Sequence, residues 1–230
     1  VESLQGHGTG WCTAGESTCI QQIQGGDFYV YYSYNKGKEP TIPRIAIRMQ
    51  GNSIAEIRGI AKNQNMDPHI LETDILDKKL SEFPDGDLYK KKDEDMKRVT
   101  DIDNRFKKGE EPTNEDLRFL YEIDDKVKGF GYNEDPRIKE IIKRRNVKED
   151  LSKILDIPKD RISTTKKEAL SGNILYHYGG LNLHNLTSAE HLTLPKTISG
   201  SLYLFNLTSA EHLTLPETIG GDLILASLTS

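Results

Sequence analysis

Between Leu181 and Ser230 the chain repeats itself. The stretch Asn185-Leu-Thr-Ser-Ala-Glu-His-Leu-Thr-Leu-Pro195 returns unchanged as Asn206-Leu-Thr-Ser-Ala-Glu-His-Leu-Thr-Leu-Pro216, with a period of 21 residues. Aligned on that period, apolar columns stand at Leu181/Leu202/Leu223, Leu183/Leu204/Leu225, Leu186/Leu207/Leu228, Leu192/Leu213, Leu194/Leu215 and Ile198/Ile219, with Gly179, Gly200 and Gly221 near each corner. One such unit cannot bury its leucines alone, so stacked copies must share a continuous core.

The alternation Leu202-Tyr203-Leu204-Phe205 predicts a short strand with leucines inward and Tyr203 and Phe205 outward. The outward columns vary while the core does not. Asn182, Tyr203 and Ile224 form one, and His184, Phe205 and Ala226 the next. Variation confined to one face suits a recognition surface; the alternative is a set of tolerated surface positions on a stabilising cap. The period and the L-x-L-x-x-L rhythm resemble bacterial leucine-rich repeats, and the I-x-G-x-L-x-L phrase is similar to right-handed β-solenoid repeats. The leucine-rich resemblance implies protein binding through that variable face.

At 230 residues, with 29% charged and 35% hydrophobic residues and a mean hydropathy of -0.61, the chain reads as soluble and polar. No run approaches the length of a membrane span. A net charge of -5 argues against general nucleic-acid binding. Cys12 and Cys19 make neither a disulfide framework nor a metal set, which suits a reducing, cytoplasmic setting, and no cofactor is implied. The start at Val1, without initiator Met or signal peptide, and the stop inside a repeat predict a fragment of a longer protein, one whose uncovered last leucines favour end-to-end self-association.

The expected fold class is α+β, in four segments. Residues 1–66 form a small α+β unit with a short helix, Thr18 to Gln24, burying Cys19, Ile20 and Ile23. Three strands follow: Phe28 to Tyr34, Pro43 to Gln50 with Ile45, Ile47 and Met49 inward, and Ser53 to Ile60. Gly51-Asn52 is a two-residue hairpin signal, so the last two strands are antiparallel neighbours. Alternation puts Ile54, Glu56 and Arg58 on one face of the third strand and Ile57 on the other.

Residues 67–162 read as helical. Asp67-Pro68 opens one helix, and Pro84-Asp-Gly breaks it. Leu88 to Lys107 carries a stripe of Met96, Val99, Ile102 and Phe106. Thr113 to Asp116 is a capping box opening a helix through Leu117, Leu120, Ile123 and Val127. Asp135-Pro136 starts a helix with Ile138, Ile141 and Ile142, and a shorter one spans Glu149 to Leu155. Residues 163–180 read as a linker and repeat entry, and 181–230 as the leucine-rich-repeat-like β-solenoid. The charged runs Lys90 to Lys97 and Lys139 to Lys148 are interleaved with acids and read as solvated helix faces.

Chemistry, if present, concentrates near the N-terminus. Candidates there are His7, Cys12, Arg44, Arg48, Glu56, Arg58 and Asn63-Gln64, with Glu56 and Arg58 projecting together. Trp11-Cys12-Thr13-Ala14, the Gly25-Gly26 helix end, the Phe28-Tyr-Val-Tyr-Tyr strand, Pro43-Arg-Ile-Ala-Ile-Arg and Ile54-Ala-Glu-Ile-Arg-Gly-Ile resemble PcfJ-like proteins and phage proteins with a W-C-T-A motif, over about residues 7 to 65. That resemblance carries a fold-sized unit and no reaction. His7-Gly8-Thr9, Tyr29 to Tyr32 and Glu56 also resemble the His, Tyr, Glu series of ADP-ribosyltransferases, although the intervening chain is short for that fold. Three readings follow: protein binding through the repeat face at Asn182, His184, Tyr203, Phe205 and Ile224; a cysteine-dependent enzyme with Cys12 as nucleophile and His7 as base; and an ADP-ribosyltransferase. Binding leads.

Overall fold

The computed structural model describes residues 16–59, 74–130 and 134–228. The fold is α+β, and the chain divides into two compact units, Val1–Glu94 and Asp95–Ser230.

In the first unit a helix, α1 (Glu16–Gly25), precedes three antiparallel strands, β1 (Phe28–Ser33), β2 (Ile42–Gln50) and β3 (Ser53–Gly59), ordered β1-β2-β3. The expected hairpin forms at Gly51, whose φ of +56° is the left-handed conformation that glycine adopts freely. Ile45, Ile47 and Met49 point into a core closed by Leu80 from α2 (Ile75–Leu80). Ala46, expected outward, is fully buried too.

Two expectations are corrected. Arg48 pairs with Glu56 and Met49 with Ile54, which leaves Ala55 as an extra residue in β3. This bulge shifts the alternation by one, so Ile54 joins Ile57 in the core and parts company with Glu56 and Arg58. In α1 only Cys19 is buried; Ile20 and Ile23 are 48% and 50% exposed, because the helix lays a single narrow edge against β2.

Helix α3 (Gly86–Lys107) begins at a glycine that the sequence marks only as a breaker. A Cβ at Gly86 would stand 1.8 Å from the Leu80 carbonyl oxygen, so the close approach of α3 to the end of α2 requires glycine. Asp85 accepts the Ile54 amide at 2.9 Å and the Tyr89 hydroxyl accepts the Ile57 amide at 3.1 Å, tying this start to β3.

In the second unit the α3 stripe is as expected, with Val99 and Ile102 fully buried against Leu120, Ile138 and Ile141. The Thr113–Asp116 capping box is present and opens α4 (Asn114–Leu120). That helix stops before Ile123 and Val127. Glu122 turns left-handed at φ +53°, and its carboxylate then accepts the Val127 amide at 2.9 Å, holding a loop where more helix was expected. Asp135 caps α5 (Pro136–Lys143) and Asn146 caps α6 (Val147–Leu155).

Residues 163–180, expected as a linker, are hydrogen-bonded structure. Ile162–Ser163 is β4, Lys166–Ala169 is α7 with a second capping box at Thr165 and Glu168, and Tyr176–His177 is β5. From there each 21-residue unit contributes two short parallel strands: β6 (Leu181–Asn182), β7 (Thr197–Ile198), β8 (Leu202–Tyr203), β9 (Thr218–Ile219) and β10 (Leu223–Ile224). They form two parallel sheets, β10-β8-β6 and β4-β5-β7-β9. The second sheet was not anticipated. Its columns, such as Ile198 over Ile219, register in the sequence as single apolar positions, too sparse to give an alternation. Leu181 pairs with Leu202 and Leu202 with Leu223, as the period requires.

The corners explain the glycine columns. The Gly200 amide donates to the Gly179 carbonyl at 3.0 Å, and the Gly221 amide to Gly200 at 3.2 Å. A Cβ at Gly200 would lie 2.6 Å from the Gly180 nitrogen and 2.7 Å from the Gly179 carbonyl carbon. The backbones stack too closely there for any side chain. Among the described residues no helix is long and apolar enough to cross a membrane.

Candidate functional site

The repeat face is the most developed of the expected sites. Pairing of β6, β8 and β10 in register places Asn182, Tyr203 and Ile224 side by side on one sheet. Leucines on the inward side, Leu181, Leu183, Leu202 and Leu204, are buried to within 1%, which leaves the alternate positions outward. The Tyr203 and Phe205 rings stack with centroids 5.7 Å apart and planes 13° from parallel. Phe205 remains 38% exposed. On the preceding turn Asn182 accepts the His184 amide at 3.1 Å, and its Oδ1 lies 3.0 Å from His184 Nδ1. On the following turn stand Ile224 and Ala226. The surface therefore changes across three turns from polar, through aromatic, to aliphatic.

The N-terminal candidates separate into two groups. His7, Cys12 and Asn63-Gln64 lie outside the described residues. Glu56 and Arg58 do project together: Arg58 Nε donates to Glu56 Oε1 at 2.6 Å, and Arg48 Nε lies 3.8 Å from Glu56 Oε2. Arg44 donates to the Ser33 hydroxyl at 2.7 Å. Glu56 is thus flanked by two guanidiniums, and its carboxylate is engaged by them.

One feature of the second unit carries no expectation from sequence. A cleft of about 490 Å³ opens over Met96, Leu120, Val127 and Ile138, walled by Tyr178 and by the Gly179 and Gly200 corners. Its polar groups are engaged in structure. Glu122 holds Val127 and Lys126, and Asp135 holds Arg137. The Tyr121 hydroxyl donates to buried Asp150 at 2.8 Å, and Arg145 closes a fork on the same carboxylate at 2.7 and 2.9 Å. Burial, with Glu134 and Glu122 nearby, pushes the Tyr178 phenol up to about 12, so it stays protonated. The cleft draws residues from α3, the loop after α4, α5 and two repeat corners, and no local pattern marks such a convergence.

Ser163 Oγ and His177 Nδ1 lie 2.9 Å apart, and both side chains are buried. Among the described residues no cluster of three or more His, Cys, Asp or Glu side chains is arranged to hold a metal ion. Comparison with family models, with curated proteins and with solved structures finds no match.

Proposed function

We propose that the chain is a protein-binding molecule whose C-terminal part is a short β-solenoid reading a partner through its β10-β8-β6 face. The observation that carries this reading is the stacked Tyr203–Phe205 pair, at the centre of the outward columns that vary from one repeat unit to the next. Rigid aromatic rings contribute large contact area at low entropic cost and are enriched at the centres of interfaces. Two strands per turn favour the β-solenoid over the leucine-rich repeat among the two resemblances. The partner fitting this gradient is an extended segment with an apolar side chain over the rings and Ile224, and a hydrogen-bonding group at Asn182 and His184. The sparse cysteines suit a reducing compartment such as the cytoplasm.

The test is selection from a displayed peptide library, with affinities then measured on Tyr203→Ala and Phe205→Ala. Loss of about 2 kcal/mol or more of binding at either ring, with an unchanged melting temperature, is the expected result. Selected peptides that bind the double variant as well as the native chain would refute the reading.

A further inference from the structure

On the core-side face of β1, Tyr29 and Tyr31 lie two residues apart, paired with Ile47 and Ile45. The turn after α2 brings Phe83 against them, its ring edge-on to Tyr29 at 5.4 Å. Into the space between the three rings reaches the Lys79 ammonium, 5.7 Å from the Tyr29 centroid, 5.6 Å from Tyr31 and 5.7 Å from Phe83. Glu82 completes the enclosure, its carboxylate accepting from Lys79 Nζ. We propose that Tyr29, Tyr31, Phe83 and Glu82 form an aromatic cage for an alkylated ammonium group, with Lys79 acting as its internal ligand.

Three electron-rich ring faces and one carboxylate around a single cation are the chemistry by which proteins recognise methylated ammonium groups. A primary ammonium meets Glu82 and the Tyr31 hydroxyl in this space but makes little use of the three rings. It is compact, strongly hydrated and carries three N–H donors, of which rings can satisfy little. A methylated ammonium spreads the same charge over a larger, weakly hydrated surface that matches the rings. Glu82 first, and then the Tyr31 hydroxyl, hold the Lys79 pKa above its ordinary value, so the internal ligand is charged at any physiological pH. Among the described residues β1 is an edge strand, and Tyr29 is 37% exposed. A tethered lysine competes at an effective concentration on the order of millimolar, so an external cation meets a site already largely filled. Lys79 thereby sets the threshold for binding.

The experiment compares the full chain with its Lys79→Ala variant, following the Tyr29 and Tyr31 ring signals by NMR. The probes are tetramethylammonium, a trimethyl-lysine peptide, the same peptide with unmodified lysine, and a neutral neopentyl alcohol. Saturable shifts in Lys79→Ala, with a Kd at least about tenfold below that of the native chain and abolished by adding Phe83→Ala, are expected. Equal affinity for tetramethylammonium and the methylated peptide identifies a free quaternary amine as the ligand; a clear preference for the peptide identifies a methylated side chain. Lys79→Ala binding no tighter than the native chain, or neopentyl alcohol binding as well as tetramethylammonium, overturns the proposal. Lys79→Gln replaces the alanine variant if that variant loses the native circular dichroism spectrum. Failure of both to fold would make Lys79 a structural staple and also overturn it.

Discussion

His177 Nδ1 lies 2.9 Å from Ser163 Oγ across the parallel pair β4 and β5, and neither side chain is more than 3% exposed. Burial lowers the His177 pKa below its reference of 6.5, while backbone contacts at Gly180 and Ser163 and the Glu168 carboxylate pull weakly the other way. The folded state therefore favours neutral imidazole. A depressed histidine contributes its stability in full above pH 6.5, and that contribution is lost as pH falls through this value towards the lower folded pKa. The melting temperature should drop between pH 7.5 and 5.5, and His177→Gln should flatten that drop. Glu168, whose pKa Lys148 lowers to about 2, stays ionised throughout this window and does not contribute to the slope. A variant with the native pH slope would show that His177 is not the titrating group.

Burial within a column predicts the cost of truncation. Leu202 and Leu204 are completely buried, while Leu223, in the same column as Leu202, is 38% exposed. Leu204→Ala should cost about 2 to 5 kcal/mol, and Leu223→Ala roughly half of that or less, because less area is lost and no enclosed cavity forms. Tyr203→Ala should leave stability nearly unchanged. Denaturant titration reads all three, and equal losses from Leu204→Ala and Tyr203→Ala would mean that the inward and outward assignments are reversed.

Two glycine-to-alanine changes should have opposite signs. Gly200→Ala drives a methyl group into the backbone of Gly179 and Gly180, neither of which can swing aside, and should destabilise by about 1 to 3 kcal/mol. Gly25→Ala, at the end of α1, meets nothing within 4 Å and carries no left-handed strain, so it should be neutral or stabilise by about 0.4 to 1 kcal/mol. Thermal melting of both variants checks the pair.

What the sequence revealed follows from how locally each feature is encoded. The hairpin at Gly51-Asn52, the caps at Thr113 and Asp135 and the leucine columns depend on neighbours a few residues away or on an exact period, and all can be read directly. The phase of β3 could not be, since the bulge at Ala55 is set by its pairing with β2. The end of α4 was hidden for a related reason. Glu122 takes a conformation usual for glycine, and its compensation comes from a bond to Val127 that no propensity records. Of the candidate sites, the outward face of the repeats was legible because repetition itself separates constant from variable positions. The cage around Lys79 was not, because β1 and the turn holding Phe83 lie far apart in the chain.

The two identical phrases at 185–195 and 206–216 leave the folding chain with an ambiguity. Either phrase offers the same inward leucines to the layer built by β5 and β6, so a chain that docks the later copy first gains nearly the same apolar contacts and loops out one whole unit. What distinguishes the proper order lies outside the repeated phrases. The Ser199 hydroxyl accepts the Gly179 amide at 2.7 Å, and the residue one period later, Gly220, has no hydroxyl to offer. This hydroxyl is one of five marks that tell the first copy from the second, beside Asn182/Tyr203, His184/Phe205, Lys196/Glu217 and Ser201/Asp222, and the order of the layers rests on those marks rather than on the repeated phrase.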